Sequence, residues 1–233
     1  MQESNLKNYL LLHLIVFIWG FTAILGALIT IDAIPLVWYR MLLAVVFIAV
    51  YFLWKKKSFK VDRQGLLKFF FTGVVIALHW VFFFKAIKVS NVSVALVTMS
   101  TGAFFTSLIE PVFFKRKINS LEIFLGLLVI GGLYIIFNFE SQYELGIIYA
   151  LIASFLGALF AVLNGVFIKK YTAETISFYQ LFFGVVFITV YLLFTNGFSV
   201  SFFKIPTSDW LYLFVLSSVC TAYAFIASVQ VMK

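Results

Sequence analysis

Charge is what this chain is short of. Only 11% of its 233 residues are charged, while 64% are hydrophobic and 20% aromatic, and the mean hydropathy is +1.11. A soluble domain is about one quarter charged, and no single soluble core buries this much apolar surface, so the scarcity excludes that class. Cysteine is reduced to Cys220, inside an apolar run, which excludes an intrachain disulfide and argues against a cysteine-based metal site. The two histidines sit on separate apolar runs with no HExxH around them, and no Walker loop is present. Zinc hydrolysis and ATP drive are therefore not expected. No small-x-small cleavage site follows the first apolar run, which continues to about Ile31; it reads as an uncleaved span, not a secretory leader.

What is present is a series of long apolar runs. Crossing the hydrocarbon core takes about 20 mostly apolar residues. Eight segments qualify, at approximately 9–30, 35–54, 66–87, 91–114, 119–138, 144–168, 175–195 and 208–231. The chain is expected to be an all-α, multi-pass membrane protein whose short loops leave no separate soluble domain. Its net charge of +8 is not a nucleic-acid footprint, because the basic residues form short clusters between runs. With the N-terminus in the cytoplasm, the inner segments hold 13 of the 17 basic residues: Lys7, Lys55–Lys57, Lys60, Arg63, Lys68, Lys115–Lys117, Lys169, Lys170 and Lys233. The outer side receives only Lys85, Lys88 and Lys204, together with Asp32, Glu140, Glu144 and Asp209. The bias predicts an N-inside protein of the cytoplasmic membrane.

One stretch occurs twice. WYRMLLAVVFIAVYFL at 38–53 returns as FYQLFFGVVFITVYLL at 178–193, with Tyr39, Phe47 and Tyr51 matching Tyr179, Phe187 and Tyr191 at a constant offset. AILGALI before the first copy is echoed by VLNGVFI before the second. The offset is about five spans. Five is odd, so the second copy enters the membrane from the other side, as in the inverted repeats of secondary transporters. Residues 1–143 are expected to form one five-helix half and 144–233 an incomplete second half of three helices. Two further helices would complete it, so the chain reads as a ten-span protein cut after its eighth span.

The chain resembles the EamA-type branch of the drug/metabolite transporter superfamily. The likeness rests on WGFTAILGALI in span 1, Pro35 with Arg40 in span 2, HWVFFFKAIKVSNVSVAL across spans 3–4, Pro111 near the end of span 4, and GLLVIGGLYII in span 5. It departs from the family pattern after span 4, where the loop is KRKINSLE with Glu122 displaced. The resemblance implies a ten-helix carrier of small metabolites, often amino acids and often moved outward, in two five-helix halves.

Several polar residues lie inside spans, where ionisable groups mark functional sites by default. Arg40 is roughly 8 Å below the outer edge at 1.5 Å per residue from Pro35. It reads either as a bidentate anchor for a substrate carboxylate or as a helix-pairing, snorkelling arginine. Its repeat counterpart is Gln180. Met99, Gly102, Ala103, Thr106 and Glu110 share one face of span 4. Glu110 reads as a gate or proton carrier, or as a partner of Lys115–Lys117, and Pro111 is expected to kink the span. His79 and Trp80 lie mid-span, Lys85 two turns further out, and Trp19, Tyr39 and Asn164 are candidate cavity residues. Gly157, Ala161 and Gly165 form a small-residue stripe suited to close helix packing.

The expectation is a carrier that binds a small polar metabolite near the midplane and exposes it alternately, with no cofactor or metal and no catalytic residues. Its partners would be the lipid bilayer, the substrate, a proton where transport is coupled, and a second copy if it dimerises; nucleic acid is not expected. The rival classes are an intramembrane lipid-modifying enzyme using His79 and a channel.

Overall fold

The structure is a computed structural model describing residues 2–138 and 141–233; Glu140 lies outside them. It contains eight helices long and apolar enough to cross a membrane. They are α1 (Gln2–Leu28), α2 (Ala33–Trp54), α3 (Arg63–Val89), the pair α4 (Val92–Met99) and α5 (Gly102–Phe114), α6 (Ser120–Asn138), α7 (Glu144–Phe167), α8 (Ala173–Phe194), and a last span built from α10 (Thr207–Ser217), a π turn (Ser218–Tyr223) and α11 (Ala224–Val231). A short helix α9 (Val200–Phe203) lies in the loop before α10. The protein is an all-α polytopic membrane protein. Loops 55–62, 115–119 and 168–172 lie on the face where the chain starts, here the N face; loops 29–32 and 195–206 lie on the far face.

Helix α3 is the centre of the bundle, packed against α7 and α8. Gly73 and Gly184 allow the α3–α8 crossing. A Cβ on Gly73 would stand 2.5 Å from the Gln180 carbonyl, and one on Gly184 would stand 2.0 Å from Met41 Cε. At the other extreme, α6 packs chiefly on α5. Leu133 is its one buried large side chain among the described residues, and Phe124, Leu128, Tyr134 and Ile135 are exposed. An apolar helix so exposed requires hydrocarbon, not water, as its solvent.

Span 4 is two helices, not one. Helix α5 runs through Pro111, and the break lies at Ser100–Thr101. There the hydroxyls of Thr98, Ser100 and Thr101 donate to the carbonyls of Val94, Val97 and Thr98 at 2.7, 2.6 and 2.8 Å. Such back-bonding competes with the helical ladder, and the backbone tightens to i→i+3 bonds at Ser100 and Thr101.

The eighth span also departs from a plain helix. Thr221 donates through Oγ1 to the Leu216 carbonyl at 2.7 Å, a five-residue reach that accompanies the π turn. The extra residue in that turn rotates Thr221 towards α2.

Candidate functional site

Trp19, Arg40, His79, Trp80, Thr106 and Asn164, drawn from five helices, line one cavity of about 360 Å³. Its walls are mostly apolar, with Phe83, Phe160 and Phe225 prominent. The lining runs from Phe83 and Arg40, nearer the far face, to Asn164 and Met232 at the N face.

Arg40 is 1% exposed. Its Nε donates to Thr221 Oγ1 at 2.6 Å. Its guanidinium carbon lies 3.9 Å from the centre of the Trp80 ring and 5.5 Å from that of Phe84. Nη1 is buried and has no hydrogen-bond partner among the described residues. Stacking on an indole stabilises a cation, but it leaves that N–H donor unused.

His79 is held by α7. Its Nδ1 is 2.6 Å from the Ala153 carbonyl; a carbonyl only accepts, so Nδ1 carries the hydrogen. The ring packs parallel to Phe83 and edge-on to Phe160, and a Cβ on Gly157 would come within 3.0 Å of it. Gly157 thus makes room for an imidazole, Ala161 faces the cavity, and Gly165 sits under the Phe114 ring.

Four residues singled out in the sequence stand elsewhere. Gln180 reaches the cavity only through Asn164: its Nε2 donates to Asn164 Oδ1 at 2.7 Å and to Thr72 Oγ1 at 2.9 Å. Tyr39 is buried among Trp38, Phe202 and Trp210. Glu110 pairs with Arg116 at 3.2 Å, the cation it shares with Glu122 at 2.9 Å. Lys85 lines a second, polar cavity of about 650 Å³ at the far face with Asp32, Lys88 and Tyr149. Ala103, on the same stripe as Met99 and Gly102, does not line the first cavity while those two do.

Thr22, Ser154, Thr221 and Ser228 were missed by sequence reasoning. Ser154 Oγ lies 2.9 Å from Thr101 Oγ1 and 3.2 Å from the Met99 carbonyl, fastening the span 4 break to α7. Isolated hydroxyls in apolar helices carry no periodic signal. The one usable hint was the Thr-Met-Ser-Thr-Gly run itself.

Two polar ties close the ends of the bundle. At the far face Asp209, fully buried, accepts through Oδ2 from Thr30 N at 2.8 Å, Thr30 Oγ1 at 2.9 Å and Ile31 N at 3.3 Å. At the N face Asp62 accepts from Lys170 Nζ at 2.7 Å and Tyr171 OH at 2.6 Å. Those hydrogen bonds, Lys170 first, hold the Asp62 carboxyl down at about 2. Thr30 and Ile31 are separated from Lys170 and Tyr171 by the same 140 positions that separate Tyr39 from Tyr179. Two further contacts recur with one partner at that spacing. Tyr39 OH points at the Phe202 carbonyl at 3.5 Å, as Tyr179 OH donates to that of Phe59 at 2.5 Å. Arg40 bonds Thr221 on the eighth span, as Gln180 bonds Thr72 on the third. Lys57 and Glu174 add an ion pair at the N face.

Comparison with known proteins gives a consistent picture. The model of the EamA-like transporter family matches residues 6–138. An uncharacterized transporter of Archaeoglobus fulgidus is 27% identical over 231 residues, 95% of this chain and 78% of that protein. The uncharacterized transporter YxxF of Bacillus subtilis is 24% identical over 195 residues, 79% of this chain and 61% of that protein. A solved crystal structure shares the fold, with a TM-score of 0.72 at 14% identity, covering 97% of this chain and 79% of its own.

Proposed function

We propose that this chain, a membrane transporter of the EamA-like transporter family, is a secondary carrier. It takes small polar metabolites that bear a carboxylate, amino acids among the candidates, from the cytoplasm outward across the cytoplasmic membrane. The observation that carries this reading is Arg40: a fully buried guanidinium inside a span, stacked on Trp80, in the lining of the cavity, with Nη1 buried and lacking a hydrogen-bond partner among the described residues. Such a group is costly in hydrocarbon and matches a carboxylate in charge and geometry.

The carrier works by alternating access between halves 1–143 and 144–233. Support comes from the paired ties, each of which joins one half to the other, one per face. Opening either face requires breaking its tie, so the two aspartates act as gates. Export is favoured by the lining, which extends from Arg40 to the N face, cytoplasmic by the bias in basic loop residues.

Counterflow in proteoliposomes tests the reading. Labelled carboxylate substrates should exchange with saturation. Arg40→Ala should weaken carboxylates well beyond neutral compounds of the same shape; equal loss for both would assign Arg40 to structure.

A further inference from the structure

The cavity is unbalanced in charge. Arg40 is the one permanently charged side chain in its lining, and no aspartate or glutamate lines it among the described residues. Five acids are occupied elsewhere, and Asp32 lines the separate far-face cavity. Glu174 pairs with Lys57, Glu110 and Glu122 with Arg116, and Asp62 with Lys170. Asp209 is bound by Thr30 and Ile31 at the far face. No ion pair reaches Arg40 among the described residues, and its Nη1 donor is unspent. A buried charge without a partner is costly, so whatever fills the cavity should bring one negative charge and no positive one.

An amino-acid zwitterion fits this poorly. Its carboxylate would satisfy Arg40, but its ammonium would meet hydroxyls, Asn164 and aromatic rings, with no carboxylate to balance it. A monocarboxylate avoids that cost. The apolar walls made by Trp19, Phe160 and Phe225 receive its body, and His79, turned to Ala153 through Nδ1, adds no acid.

We propose that the cavity selects small monocarboxylates with an apolar body over zwitterions and neutral analogues of equal shape. This rests on the carrier reading above and narrows its substrate class.

The test uses three isosteric probes, 4-methyl-2-oxopentanoate, leucine and 4-methyl-2-oxopentanamide. Binding to the purified full chain is followed by quenching of tryptophan fluorescence, and transport by counterflow. The expected result is saturable binding of the oxo acid at least tenfold tighter than either competitor. Arg40→Gln should abolish that preference, and Arg40→Lys should keep part of it. Thr106→Glu, which adds an acid to the cavity wall, should move the preference towards leucine, an outcome that misfolding cannot mimic. Leucine binding as tightly as the oxo acid in the unmodified protein overturns the proposal, as does saturable binding of none of the three. Oxo-acid binding without counterflow overturns the carrier reading and leaves the anion site standing. Leucine counterflow without oxo-acid binding does the reverse.

Discussion

Asp209→Ala is the perturbation that separates a gate from a structural tie. Asp209 is fully buried and holds Thr30 and Ile31 through two good hydrogen bonds and one long one. Hydrogen bonds to a charged group contribute about 1.5–3 kcal/mol each. Counting the two good ones and discounting the third, removal weakens far-face closure by about 3–6 kcal/mol. The ratio of closed to open then falls by roughly 10²- to 10⁴-fold, at 1.4 kcal/mol per factor of ten. The protein has its own reporter: Cys220, its one cysteine, lies on the π turn and is 2% exposed. Labelling of Cys220 in intact cells by a membrane-impermeant maleimide should be slow in the unmodified protein and at least tenfold faster in Asp209→Ala. Asp209→Asn, which keeps an acceptor, should fall between them. Asp62→Ala, on the other face, should leave external labelling unchanged or slower. Equal labelling of the unmodified protein and Asp209→Ala at matched protein levels would refute the gate.

Other outcomes follow from the same geometry. The Asp62 carboxyl is depressed from its ordinary 3.8 to about 2, so its contribution to the N-face tie is present above the ordinary value and lost only as the pH falls towards 2. Protease sensitivity of the 55–62 loop in everted vesicles should therefore be flat between pH 5 and 8; a rise on going to pH 5 would count against the tie. Glu110→Gln should leave transport and its pH dependence intact, because Glu110 is bound to Arg116 and does not line the cavity; loss of a pH response in transport would reinstate it as a proton carrier. Gly184→Val should lower the thermal stability of the purified protein by about 1–3 kcal/mol through overpacking, since its Cβ collides with Met41 and crowds the Gly73 carbonyl. An unchanged melting temperature would contradict that crossing.

The eight spans were legible because lipid demands them. A crossing segment must satisfy its backbone internally over a fixed thickness, so length and apolarity alone mark the eight spans. The repeat was legible for a related reason, since WYRMLLAVVFIAVYFL and FYQLFFGVVFITVYLL carry their likeness in order along the chain. Arg40 stood out because a charge inside such a run is costly wherever it faces. Of the ten pathway residues picked in the sequence, six share the cavity. Lys85, Glu110, Tyr39 and Gln180 point to partners that only the packed bundle supplies.

The sequence by itself determined the class, the spans and the short list of suspicious polar groups, because these depend on the solvent the chain meets and on local order. The tertiary structure alone decided which of those groups face one another. It placed the span 4 break at Ser100–Thr101, turned Thr221 onto Arg40 through a π turn, and joined Asp209 to Thr30 and Asp62 to Lys170. Each of those outcomes is a contest between a local preference and a hydrogen bond to a residue far away in the chain. Helical periodicity carries no record of the distant partner, and burial in a low-dielectric interior is what makes that partner decisive.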